Sequence, residues 1–281
     1  MTNKKIVKVA LVGRTNAGKS TLINKIVGEK ISIQNKKINT TQVTILGIKN
    51  INKTQLIFYD TPGSNFLKSL NKDSKNLKMY LWSGIDESDI IAYLIDVKTA
   101  NIKFLNDQLN KLQEIKKKII IVFNKIDLVS KKQILPLINQ LDKNFEIDSF
   151  FTISATKNLG INYLLDYIKI FSYSSQWIFK ENEITNKDDN FIIEELLRES
   201  ILTYLHKEIP YNLTIKTTDF KILKNTDIKI KQKIFIKESR YKKIILGKKG
   251  EMIKKIRENA QKKMSQILNA KIHLYIEILN A

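Results

Sequence analysis

The sequence predicts an α/β domain with a mostly parallel sheet, followed by a smaller α+β domain, within 281 residues. Three observations lead there. Short, nearly continuous apolar runs ("KIVKVALVG" at 5–13, "TQLIFYD" at 54–60, "DIIAYLIDV" at 89–97, "KKIIIVFN" at 117–124) read as strands buried on both faces of a parallel sheet. The first run ends in the glycine loop "GRTNAGKST" at 13–21, and a helical pattern follows at once. A second glycine loop, "GKKG" at 247–250, follows two alternating strand patterns and precedes a helix and a last strand.

Composition narrows the class. Apolar residues make up 43%, as in folded domains, and the length admits two cores. No apolar run approaches the roughly 20 residues of a membrane-spanning helix, so a soluble chain is expected. A strand and a glycine loop begin within the first twenty residues, which argues against a cleavable leader. Cysteine is absent, which excludes disulfides, thiolate metal sites and a cysteine nucleophile and makes a cytoplasmic setting the default. The net charge is +21, but 45 of the 49 basic residues are lysine in a chain also rich in Ile and Asn, a bias that base composition alone can produce. Its distribution says more: residues 214–281 carry 18 basic and 6 acidic groups, which makes this end the better candidate for contact with RNA, DNA or an anionic membrane.

The elements follow in chain order. Strand 5–13 runs into G-x-x-x-x-G-K-S, and "TLINKIVGEK" places Leu22, Ile23, Ile26 and Val27 at helical spacing. Gly13 and Gly18 permit a tight turn whose N–H groups, through Asn16, Ala17 and Thr21, cradle phosphates at a helix N-terminus. Lys19 would reach the β and γ oxygens, and Ser20 would ligate Mg²⁺. Residues 35–48 would form a first switch, with Thr41 favoured over Thr40 as a further Mg²⁺ ligand. Strand 54–60 ends in D-T-P-G, where Asp60 would hold Mg²⁺ through water and the N–H of Gly63 would meet the γ-phosphate. A second switch, 63–76, has Ser64, Asn65 and Phe66 after that motif and no glutamine to orient water.

The next two strands carry base recognition. "KKIIIVFNKID" ends in Asn124, Lys125 and Asp127. A carboxylate accepts from guanine N1–H and the exocyclic amino group, whereas adenine offers neither pattern, so Asp127 selects GTP. "FFTISATKNLG" at 150–160 brings up Ser154, Ala155 and Thr156, where a backbone N–H can read guanine O6. Among these residues Lys19, Thr41, Gly63 and Asn16 are the candidates for catalysis.

In this order the motifs resemble the translation-factor class of GTPases. Within it, "GRTNAGKSTLINKIVGEKISI", "TTQVTILGI" and "DTPG" are similar to the Era-like, KH-domain-containing family. The likeness extends through "ITNKDDNFIIEELLRESILTYLHKEIPYNLTI" at 184–215 to "YKKIILGKKGEMIKKI" at 241–256, so nearly the whole chain is covered. Related double GTPases and tRNA-modifying GTPases with a C-terminal cysteine fit worse, since this chain has one phosphate loop and no cysteine.

The resemblance implies a P-loop GTPase domain over 1–172, a linker over 173–190 and a type II KH domain over 191–281. In the KH domain Gly247 and Gly250 would let a nucleic-acid backbone approach, and Lys248 and Lys249 would supply charge. Ile244, Ile245, Leu246, Met252, Ile253 and Ile256 would line the base-binding groove or the core behind it, and of these Ile245, Leu246, Met252 and Ile253 are assigned, with residues 247–250, to RNA contact. It further implies GTP and GDP as ligands, Mg²⁺ as cofactor, slow turnover, and the 3′ end of 16S ribosomal RNA as target during 30S subunit assembly. Asn16 would help bind a K⁺ ion that stimulates turnover; its alternative role is to cap or stiffen the loop. A cytoplasmic monomer is expected, with peripheral association at the inner membrane admitted by the basic face. Two other readings are a nucleotide-responsive RNA-binding scaffold and a membrane-surface signalling GTPase. Departures from the family are Thr15 for a proline, Ser64 for an apolar residue, and an ending at "YIEILNA" where relatives carry a basic, aromatic tail; the expectation is either weaker RNA affinity or ribosome docking, or a tail that a shortened genome has dispensed with. His206 and His273 have no partner pattern and read as structural.

Overall fold

The computed structural model describes residues 4–32, 45–63, 72–205 and 213–280, which divide into two compact units, the first ending at Asn186 and the second starting at Lys187. The first contains β1 (Lys5–Gly13), α1 (Lys19–Val27), β2 (Ile45–Ile51), β3 (Thr54–Asp60), α2 (Lys72–Asp86), β4 (Ile90–Asp96), α3 (Ile102–Gln113), β5 (Lys118–Asn124), α4 (Lys131–Asn144), β6 (Ser149–Thr152), α5 (Ile161–Ile168) and β7 (Tyr173–Ser174). Its sheet runs β2-β3-β1-β4-β5-β6; only β2 on β3 and the short β7 on β1 are antiparallel.

Helices on the sheet's faces explain why the strands are apolar at successive positions rather than alternate ones. All seven residues of β3 are buried, and so are Ile119 to Asn124 in β5. α1 buries Leu22, Ile23, Ile26 and Val27, the positions whose spacing predicted it. α3 buries Leu105, Leu109 and Leu112 along one stripe, and its first turn is capped by Asn101, whose Oδ1 accepts from Phe104 N–H at 3.0 Å.

The polar segment expected as a linker over 173–190 is placed in two parts. Its last residues open the first helix of the second unit, and residues 173–186 lie along the first unit's sheet. There the N–H of Ile48 donates to Ile184 O at 2.8 Å, Gly47 bridges Thr185, and the N–H of Leu46 donates to Asn186 Oδ1 at 3.0 Å. A fully buried glutamine anchors this strap. Gln55 Oε1 accepts from the N–H groups of Ile178 and Phe179, and its Nε2 donates to Asn50 Oδ1 and Phe179 O, all at 3.0 Å.

The second unit contains α6 (Asp189–Tyr204), β8 (Leu213–Ile222), β9 (Ile228–Ile236), α7 (Ser239–Leu246), α8 (Glu251–Leu268) and β10 (Ile272–Asn280). Its sheet is ordered β10-β9-β8, with β8 antiparallel and β10 parallel to β9. The period-two pattern "IKIKQKIFI" turns Ile228, Ile230, Ile234 and Ile236 into the core and lysines to the other face. α8 meets that core through Ile256, Ala260 and Met264, four residues apart. His273, without a partner pattern in the sequence, has its Nε2 2.8 Å from Asp227 Oδ2. His206 lies outside the described residues.

Replacing Gln55 by Ala would remove the bonds that hold residues 178 and 179 and leave their N–H groups unpaired. The expected cost is about 2–3 kcal/mol, read as a lowered urea midpoint of the first unit's transition in the full-length chain.

Candidate functional site

The predicted motifs converge at the C-terminal ends of β1, β3 and β5, the edge at which open α/β sheets bind ligands. The loop from Gly13 to Lys19 wraps the start of α1. Asn16 is held in the left-handed region at φ 69°, and Gly18 is the N-cap of α1 at φ 99°. A side chain at Gly18 would overlap the Asn124 amide, so glycine is required for contact with β5 as well as for the turn. Gly63 abuts Thr15, which brings D-T-P-G against the phosphate loop.

Asn124 ties this edge together. Its Nδ2 donates to Ala17 O at 2.9 Å, and its Oδ1 accepts from Lys125 N–H at 2.8 Å and Ala155 N–H at 3.0 Å. One buried carboxamide thus joins the phosphate loop, the N-K-x-D turn and the S-A-x loop. Lys125, at φ 66°, reaches back to Asn16 O at 2.8 Å and pairs with Asp96 at the end of β4. Asp127, the candidate reader of guanine, is exposed beside them, its side chain without a protein hydrogen bond among the described residues. Ser154 is buried and shares its hydroxyl with Thr156 at 3.2 Å, while the N–H of Ala155 is engaged by Asn124.

The phosphate end is built around two buried charges. Lys19 Nζ donates to Gly13 O at 3.0 Å and Arg14 O at 3.1 Å, inside the curve of the loop. Burial pushes its pKa down to about 8, opposed by the charge of Asp60. Asp60 is fully buried, and burial raises its pKa against the pull of Lys19 and of two hydroxyl donors. Those donors are Ser20 Oγ at 2.8 Å and Ser32 Oγ at 2.6 Å, both to Oδ2. Oδ1 is buried without a hydrogen-bond partner among the described residues. A buried carboxylate oxygen left open beside a serine hydroxyl suits a hard divalent cation and its waters, so Ser20 and Asp60 fit Mg²⁺.

Thr41, Thr40, Ser64, Asn65 and Phe66 lie outside the described residues. The sequence reading missed Asp96, Asn24 and Ser32. For Asp96 a signal existed, since an acidic residue ends an apolar strand parallel to the one carrying Lys125. Asn24 and Ser32 lie outside G-x-x-x-x-G-K-S and D-T-P-G, and only the fold brings Ser32 to Asp60 and Asn24 behind it.

In the second unit Gly247 (φ 71°), Lys249 (φ 50°) and Gly250 (φ 78°) form a turn between α7 and α8, with Lys248 and Lys249 exposed. Ile244 is exposed and Leu246, Met252 and Ile253 are partly buried, so these can line a groove. Ile245 and Ile256 cannot. Both are 0% exposed in the core, which corrects the assignment of Ile245 to RNA contact; it lies one helical turn from buried Tyr241, on α7's inner face.

A guanine-selective phosphate-loop site on a parallel sheet, followed by an α+β unit with a G-x-x-G turn, defines a GTPase joined to a KH domain. Family models agree: "50S ribosome-binding GTPase" matches residues 8–125 and "KH domain" matches 203–280. The GTPase Era of Ehrlichia canis (strain Jake) is 35% identical over 274 residues, covering 98% of this chain and 92% of that protein. That of Rickettsia bellii (strain OSU 85-389) is 36% identical, with 97% and 92% covered. A crystal structure of Era in complex with MgGDPNP and nucleotides 1506–1542 of 16S ribosomal RNA superposes with TM-score 0.88 at 30% identity, over 99% of this chain and 94% of that one. A point variant of Aquifex aeolicus Era bound to GDP·AlF4⁻ gives the same TM-score, identity and coverage. The chain belongs to the Era family of GTPases.

The lowered pKa of Lys19 has a measurable consequence. A bound phosphate favours the charged ammonium, so binding takes up a proton wherever the free lysine is neutral. With the free group at about 8, the lysine's contribution to GDP affinity is expected to be complete well below that pH and to weaken above it. Calorimetry at pH 8.5 should give binding about fourfold weaker than at pH 7, a dependence lost in Lys19→Ala.

Proposed function

We propose that this chain is a GTP-hydrolysing switch that binds the 3′ end of 16S ribosomal RNA and acts in assembly of the small ribosomal subunit, as a cytoplasmic monomer. The observation that supports this most is the full-length likeness to Era solved with a GTP analogue, magnesium and that RNA. Neither half alone would carry it, since phosphate loops and KH domains each serve many functions.

In this reading the loop N–H groups and Lys19 hold the phosphates, and Asp127 holds guanine. Ser20, Thr41 and Asp60 would hold Mg²⁺, which would supply neutralisation of charge developing on the phosphate oxygens. Water adds to the γ-phosphorus, the bond to the bridging oxygen breaks, and GDP and phosphate leave. No glutamine follows D-T-P-G in the sequence, so turnover is slow and serves to time release of RNA. No helix among the described residues is long and apolar enough to cross a membrane.

The test is a titration of an RNA copying the 3′ end of 16S ribosomal RNA at fixed salt, with GTP analogue and with GDP. Tight, GTP-favoured binding is expected. Lys248→Glu/Lys249→Glu, on side chains that are exposed, should weaken it at least tenfold and flatten its salt dependence. Binding indifferent to nucleotide and to both reversals would remove the RNA switch, and competition by anionic vesicles would favour a membrane role.

For Asn16 a K⁺-binding role predicts faster hydrolysis in KCl than in NaCl, a difference erased by Asn16→Ala. Equal rates in the two salts would leave Asn16 as a stiffener of the loop, a role consistent with its left-handed backbone and the Lys125 bond to its carbonyl.

A further inference from the structure

α1 stops at Val27, where Gly28 turns the chain at φ 91° and bonds back to Asn24 O at 3.0 Å. The chain then returns beside the helix, so that Ser32 is buried at 2% exposure. One side chain fixes this return. Asn24 Oδ1 accepts from the N–H groups of Ile31 and Ser32, each at 2.9 Å, and Asn24 Nδ2 donates to Ser32 O at 2.7 Å. With N–H and C=O both held by one carboxamide, the peptide at Ser32 has little freedom to rotate.

The consequence falls on Asp60. Ser32 Oγ donates to Asp60 Oδ2 at 2.6 Å, and Ser20 Oγ donates to the same oxygen at 2.8 Å. Two donors on Oδ2 fix the carboxylate plane and leave Oδ1 as the acceptor still open. The two serines are not equivalent. In the function proposed above, Ser20 gives a lone pair to the cation, whereas Ser32 reaches the carboxylate from the side of the returning chain. An alanine would bury as well at this place, and a hydroxyl buried here costs free energy unless it is bonded, so the bond to Asp60 is what a serine adds.

We infer that Ser32, held by Asn24, is a positioning residue that orients Asp60 in the divalent-cation site and so sets the affinity for Mg²⁺ without touching nucleotide or metal. Hydrogen bonds behind a ligating carboxylate act on metal affinity in this way, and losing one typically costs about tenfold or more. The inference rests on the GTPase reading and extends it to residues outside the phosphate-loop and D-T-P-G motifs.

The experiment uses the full chain loaded with GDP carrying a fluorescent N-methylanthraniloyl group. Its release rate is followed across buffered Mg²⁺ concentrations and in EDTA. For Ser32→Ala, the Mg²⁺ concentration that half-maximally slows release should rise about tenfold, with affinity in EDTA within about twofold of wild type. Ser32→Thr, which keeps the hydroxyl, should return the midpoint toward wild type, and Asn24→Ala should raise it as Ser32→Ala does. An unchanged midpoint in Ser32→Ala overturns the inference. So does an equal loss of affinity in EDTA, which would mean general damage to the loop. If wild type retains no labelled GDP at any Mg²⁺ concentration, the GTPase reading itself falls and takes this inference with it.

Discussion

The first unit depends on one buried carboxamide. Asn124 directs all its described hydrogen bonds to backbone groups, one in the phosphate loop, one in its own turn and one after β6. The loops that must cooperate around a single nucleotide come from points far apart in the chain, and each alone would be free to drift. A side chain that donates to one and accepts from the others turns three loose connections into one surface. Because it is 1% exposed, no water competes for these bonds and losing any would leave a buried polar group unpaired. Gly18 follows from the same constraint, for the loop can come this close to β5 only without a side chain there.

A second buried centre, at Asp60, works by opposition. Lys19 and Asp60 are both pushed toward neutrality by burial, and each is partly rescued by the other. Such a pair contributes little to stability by itself, since desolvation offsets much of the attraction. In the proposed function this opposition makes added charge favourable, phosphate beside the lysine and a cation beside the carboxylate.

How much of this was legible in the sequence depended on whether the information was local. β1, α1 and the strands carrying Asp60 and Asn124 could be read because each joins a period to a motif within a few residues. The candidate base-reading residues could be picked out because their chemistry is tied to one ligand. Gln55, Asn24 and Ser32 could not, because what makes each important is a partner brought near by the fold: residues 178–179 for Gln55, Asp60 for Ser32. Ile245 shows a milder failure. Its spacing from Tyr241 already held the phase of α7, yet proximity to the glycine turn drew it into the RNA site.

The strap over residues 173–186 bears on where the chain can be cut. β2 lies at the border of its sheet, and its outward N–H groups at Leu46 and Ile48 are taken by Asn186 and Ile184. A GTPase domain truncated at 172 would present that border bare, a template for a strand of another molecule, and would leave the buried Gln55 amide with only its bond to Asn50. The compact unit therefore reaches past the last helix of its fold to Asn186, and residues that resemble a tether serve as the selvedge of the sheet.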